Sequence, residues 1–229
     1  MHEFSLYSQV ASTRHMQVLN ILAGVTASQP INISEQCLVY QQLKPDTVVA
    51  ARKAPIKPAN KDRDLLFVKL VRTTNSGEEP GKWRLRTEAL PDAAAKTVTS
   101  RLVTEKLLED TELEQFRPES TRYKFVSQYI TSGVRFVNHN TIIRLTRLFA
   151  SSVPAGADIL GVPSPAVENA NLLDPSGTYT LEVCVRVEDG GISGLRDRAV
   201  KELESFKKEL DGAVDLKVPD RLSMDPRVR

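Results

Sequence analysis

The chain has 229 residues, 41% of them hydrophobic, and its 31 Lys and Arg stand against 29 Asp and Glu for a formal net charge of +2. That is enough apolar material for a sizeable core in one domain or two. The near-neutral balance lacks the strong or clustered basic excess of a dedicated nucleic-acid binder.

Two cysteines and three histidines show no Cys/His spacing for zinc. Cys37 and Cys184 lie in separate apolar stretches and read as buried thiols, with a disulfide left open. The start, MHEFSLYSQV, is polar by its second residue, so no signal peptide begins there. No apolar run reaches the ~18 residues that span a bilayer. A soluble, intracellular protein without a membrane partner is expected.

In chain order, Phe4, Leu6 and Val10 alternate with Ser5, Tyr7 and Gln9, the period of a half-buried strand. Ser12 and Thr13 offer N-caps to RHMQVLNILAG, where Met16, Leu19 and Ile21 to Ala23 supply a helical apolar stripe. After Pro30, EQCLVYQQL (35–43) reads as a strand that stops at Pro45. Residues 50–63, AARKAPIKPANKDR, form a basic, proline-broken loop. LLFVKLVR (65–72) and KWRLRTEAL (82–90) read as two strands joined through the turn formers TNSGEEPG. TVTSRLV suits a strand and LLEDTELEQF a short helix before Pro118.

RYKFVSQYITSGVRFV (122–137) is aromatic and β-branched, with Gly133 placed for a bulge or sharp bend. Asn138-His139-Asn140 makes a turn in which Asn tolerates positive φ. TIIRLTRLF returns as a strand, although Ile142, Leu145 and Phe149 also fit a helix. Residues 150–177 read as a surface excursion rich in Pro, Gly, Ala and Ser. TYTLEVCVRVE alternates strongly, and ISGLRDRAVKELESFKKELDG repeats its apolar residues at helical spacing, with Gly212 as a C′ residue. AVDLKV reads as a last strand.

Seven to nine strands with two firm helices predict an α+β, mostly β fold: a curled or closed antiparallel β-barrel with helices on its outside. The expected organisation is one barrel domain over 1–229. Loop insertions are placed near 44–63 and 150–177, and the tail 219–229 is placed as pinned.

Chemistry is sparse. No G-x-S-x-G, Gly-rich phosphate loop or H-E-x-x-H is present. His2, His15 and His139 are scattered, and Asn32-Ile33-Ser34 is an acceptor motif that is idle without secretion. Arg84, Arg86 and Glu88 share one strand face, and Glu182, Arg186 and Glu188 share another. Inside a closed barrel such faces can hold a phosphate chain and a divalent ion; on an open sheet they are simply the solvent side. A tunnel phosphohydrolase pairs glutamates on its first strand, and this first strand carries Glu3, Ser5 and Tyr7 instead. Arg52, Lys53, Lys57, Lys61 and Arg63 make a basic loop without the interleaved aromatics of a single-strand nucleic-acid site. No catalytic, cofactor-binding or metal-ligating residue is expected. The alternative reading is a triphosphate-tunnel-like phosphohydrolase or a phosphate-binding barrel.

FKKELDGAVDLKVPDRLSMDPRV (206–228) closely resembles the carboxy-terminal end of the Mediator complex subunit 18 family. The block FVSQYITSGVRFVNHNTIIRLTRLF (125–149) resembles the family's central strand pair, and the opening MHEFSLYSQV fits a fungal member. The resemblance implies a β-barrel flanked by helices and a subunit of the nuclear Mediator head module, bridging activators and RNA polymerase II. It implies pairing with the similarly built Mediator subunit 20 and receipt of a carboxy-terminal helix from Mediator subunit 8, without direct sequence-specific nucleic-acid binding. It also implies distant fold kinship with triphosphate tunnel enzymes, whose first-strand glutamates are missing here; fold kinship does not carry function across. Beside it stands the residue-level expectation that Pro219, Asp220, Arg221, Met224, Asp225 and Arg227 pin the tail across its own barrel, with Met224 in a shallow apolar site.

Overall fold

The computed structural model describes residues 1–43, 65–74, 80–94, 97–151, 160 and 170–228. Its elements are β1 (His2–Val10), α1 (His15–Thr26), β2 (Ile31–Gln42), β3 (Phe67–Thr73), β4 (Arg84–Glu88), β5 (Thr99–Leu107), α2 (Asp110–Leu113), β6 (Tyr123–Asn138), β7 (Thr141–Ala150), β8 (Tyr179–Val187) and α3 (Ser193–Glu209). The strands close into one antiparallel barrel in the order β1-β5-β4-β3-β2-β6-β7-β8.

The lumen is lined mainly by polar side chains and the buried apolar ones sit mainly outside the wall, the reverse of a barrel with a greasy interior. On β8, Leu181, Val183 and Val185 are buried outside the wall, while Glu182, Cys184 and Arg186 face the lumen. The outward set on β1, β6, β7 and β8 packs beneath Val18 and Leu22 of α1 and Ala199, Leu203 and Phe206 of α3, joined by Val214 and Leu216. A second cluster covers the outside of β2 and β3, where Leu38, Tyr40, Val68 and Leu70 meet Trp83, Leu108 and Phe116. Each large side chain buried this way contributes about 1.5–3 kcal/mol. Hydrophobic stabilisation therefore comes from the layer between wall and helices, and the lumen must satisfy itself electrostatically. No helix among the described residues is long and apolar enough to cross a membrane.

Several local expectations change. The strand read at 35–43 begins earlier, at Ile31. Ser12 and Thr13 do not cap α1: a 3-10 turn, Ser12–Arg14, precedes it, with no side-chain cap bond. Gly133 marks no bulge, because register runs unbroken through its pairs with Ile33 and Thr146; the irregularity lies instead between Val39 and Tyr40. What Gly133 supplies is closeness, since a Cβ there would sit 2.1 Å from the Leu145 carbonyl oxygen. The β6–β7 turn puts His139, not an asparagine, at positive φ (52°). AVDLKV is not a strand but a single antiparallel bridge, Tyr7 to Lys217; its Val214 and Leu216 are buried by packing with the helix layer instead. The basic loop with Arg52, Lys53, Lys57, Lys61 and Arg63 lies outside the described residues, as does most of the 150–177 excursion.

Candidate functional site

Closure brings the inward faces together in a cavity of about 200 Å³ lined by Glu35, Lys69, Arg84, Arg86, Glu88, Arg101, Glu105, Arg144, Glu182 and Arg186, with both cysteines nearby in the wall. The Glu3 side chain, 1% exposed, is shared by three guanidinium groups, of Arg86, Arg101 and Arg186. Arg101 donates to it from Nη2 at 2.7 Å, Arg86 from Nη2 at 3.1 Å and Arg186 from Nε at 3.1 Å. Arg86 also donates to Glu88 at 2.6 Å and to Glu105. Arg101 and Lys69 reach Glu88 at 2.9 and 3.1 Å. Toward the other side Glu35 accepts from Arg84 and Arg144, both at 3.4 Å. The Tyr7 hydroxyl donates to Glu182 at 3.0 Å and accepts from Ser5.

These contacts set the protonation states. Burial alone would raise the Glu3 carboxyl, but Arg86, Arg101 and Arg186 outweigh it and hold it below the ordinary range. The same opposition, won by Lys69, Arg101 and Arg86, holds Glu88 at about 2. Burial pushes the Cys37 thiol up to about 11 and, helped by Glu182 and Glu3, the Cys184 thiol up to about 12. Thiols so disfavoured as thiolates are poor nucleophiles.

A triphosphate site needs carboxylates free for a divalent ion and cations free for phosphate oxygens. Here Glu3, Glu35, Glu88 and Glu105 are each held by arginine. Among the described residues no group of three His, Cys, Asp or Glu is placed to hold a metal. The cavity is also smaller than the roughly 300–1,000 Å³ of a ligand pocket. The arrangement fits a polar core that locks the wall in register.

Arg84, Arg86 and Glu88 do share the lumenal face of β4, and Glu182 and Arg186 that of β8; the solvent-side alternative is excluded for them. Glu188 lies past the end of β8 and is exposed. Glu3, noted only as part of an incomplete pair, is the hub. Arg101, Glu105, Arg144, Glu35 and Lys69 went unread, though each sits on an alternating strand and faces inward once the barrel closes. His15 stacks on Tyr179 with ring centroids 4.1 Å apart, and His2 stacks on Phe4.

The tail residues also have places. Pro219 and Met224 line a groove with Tyr7 and Val10. The Asp220 carbonyl accepts from the Ser223 hydroxyl at 2.6 Å, Arg221 Nε donates to the Pro91 carbonyl at 2.5 Å, and Arg227 Nη2 donates to Asp225 at 2.8 Å.

Compared with known proteins, residues 2–227 match the Med18 protein family. Mediator of RNA polymerase II transcription subunit 18 from Coccidioides immitis (strain RS) is 29% identical over 270 residues, covering all of both chains. The protein of the same name from Yarrowia lipolytica is 27% identical over 246 residues, again covering both in full. Among solved structures, a chain of the Schizosaccharomyces pombe Mediator head module superposes with a TM-score of 0.71 at 21% identity, covering 96% of this chain and 99% of that one. At that identity the likeness is one of fold.

Proposed function

The chain belongs to the Med18 protein family, and from that premise we propose that it is a non-enzymatic structural subunit of the Mediator head module, acting in the nucleus between activators and RNA polymerase II. The observation that carries the non-catalytic reading is Glu3: a buried carboxylate shared by three arginines is taken from any metal, and holds those arginines back from a phosphate. A barrel whose interior is used up in holding itself together must do its work from its outside.

The finer reading is that this outside receives a second barrel, Mediator subunit 20, and a carboxy-terminal helix from Mediator subunit 8. It is supported by the uneven cover of the wall. The helices α1 and α3 pack over β1, β6, β7 and β8, whereas the outward residues Leu102, Thr104 and Lys106 of β5 are exposed.

Co-expression of the three chains followed by size exclusion at roughly 0.1 and 0.5 M salt tests the assignment. Co-elution at both concentrations is expected, since an interface with an apolar centre resists screening. A solitary monomer, or turnover of tripolyphosphate with Mg²⁺ that is abolished by Glu182→Gln, would overturn it.

A further inference from the structure

The barrel wall is incomplete on one side, and the chain's own tail covers the gap. β1 pairs with β8 from His2 to Val10 but with β5 only from His2 to Ser5, so among the described residues its edge beyond Ser5 lacks a strand. β3 pairs with β2 from Phe67 to Thr73 but with β4 only from Lys69 to Val71, so among the described residues its beginning lacks one as well. Both vacancies flank the β4–β5 pair, which stands between β3 and β1 in the barrel order.

The tail meets all three places in turn. Tyr7 and Lys217 exchange backbone hydrogen bonds, N to O at 2.9 Å and 2.7 Å. Arg221 Nε then reaches the carbonyl of Pro91, in the link between β4 and β5. Finally the Phe67 amide donates to the Pro226 carbonyl at 2.8 Å, and the Val228 amide donates to that of Leu65 at 2.7 Å. Between these contacts the segment is stiffened. It makes a 3-10 turn at Arg221–Met224, and Asp225, its side chain 3% exposed, accepts from the Arg227 amide at 3.1 Å and from its guanidinium at 2.9 and 2.8 Å.

We propose that residues 217–228 act as a latch: one segment that pairs with the free edges of β1 and β3 and, through Arg221, ties down the β4–β5 pair between them. Unpaired edges are templates for any extended chain, and here the template is filled from within. Lifting the latch frees both edges and the intervening strands together while leaving the opposite wall, β6 and β7, closed. The barrel thus has a hinged side and a fixed side.

The decisive readout is amide hydrogen exchange in the full chain against a chain lacking residues 219–229. Phe67 loses its acceptor directly in that deletion. Tyr7 keeps its acceptor, Lys217, and so reports only on whether the tail is one unit. The expected result is exchange at least tenfold faster at Tyr7 and Phe67 and across β4 and β5, with β6 and β7 unchanged. Unaltered protection at Tyr7 would mean that the contacts are independent and there is no latch. Equal loss everywhere would mean general destabilisation, which also overturns the proposal. Should the deleted chain not fold, full-length Arg221→Ala answers the same question: a latch loosens Tyr7 and Phe67 together, and independent contacts leave both as they were.

Discussion

Glu3 shows how one side chain decides what the lumen is for. It is buried, and its charge is tolerable only because Arg86, Arg101 and Arg186 surround it. Removing one partner of a buried ionic cluster usually costs about 3–5 kcal/mol, because the remaining charges stay buried without compensation. Glu3→Gln is therefore expected to destabilise the protein by about that amount in urea unfolding, and a loss below about 0.5 kcal/mol would mean that water reaches the site and screens it. Two glycines make a matched pair of opposite sign. At Gly133 a Cβ would lie 2.1 Å from the Leu145 oxygen and 2.8 Å from the Thr146 Cα, both main-chain atoms that cannot step aside. Gly133→Ala should cost about 1–3 kcal/mol or more as the β6–β7 strands are forced apart. At Gly24, exposed in α1, a Cβ meets nothing within 4 Å, so Gly24→Ala should gain about 0.5–1 kcal/mol from helix propensity. Thermal melts of the two variants should shift in opposite directions, and a shared sign would contradict the packing described for one of them.

Strand identity was readable from sequence because alternation is a local property, and β8 shows it plainly: Leu181, Val183 and Val185 against Glu182, Cys184 and Arg186. Which face points inward is not local. On an open sheet the charged face of β4 would be solvated, and only closure between β1 and β5 turns Arg84, Arg86 and Glu88 into a lumen. The hub at Glu3 was hidden for the same reason, since its partners come from β4, β5 and β8 at sequence separations up to 183. The bridge at Lys217 was over-read as a strand because AVDLKV has the right period; its burial at Val214 and Leu216 comes from packing on the helix layer instead. Element by element, β5 carries the exposed outward residues Leu102, Thr104 and Lys106, of which Lys106 reaches Glu112 of α2. Leu102 is 47% exposed, so Leu102→Glu should leave the melting of the isolated chain within about 0.5 kcal/mol of the parent. If β5 carries the second barrel, the same change should weaken that complex at least tenfold, ~1.4 kcal/mol, in a calorimetric titration. An unchanged affinity would move the interface to another wall.

Taken whole, the molecule separates its two sources of stability: apolar burial outside the wall and ion pairing inside it. The buried ionisable groups make stability depend on pH, and the signs follow from the direction of each shift. Glu3 and Glu88 are held below their ordinary value of 4.5, Glu88 at about 2, so the folded state binds their protons more weakly than the unfolded state does. Their contribution is fully present above about pH 4.5 and is lost as pH falls from there toward 2, by an amount on the order of a few kcal/mol. At the other end, Cys37 and Cys184 are raised from 9.0 to about 11 and about 12. The folded state therefore keeps those protons longer, and stability declines as pH climbs above 9. Unfolding free energy should thus fall away on both sides of neutral pH, with a steep acid limb. Because the carboxylates are buried, added salt should flatten that limb little, unlike the behaviour of surface pairs. Urea unfolding at pH 7, 4.5 and 3 measures the limb, and Glu88→Gln should reduce its slope because that proton is no longer taken up on unfolding. Equal stability at pH 7 and 3 would show that the lumenal charges are solvated, and the picture of an interior held together by its own ion pairs would have to be given up.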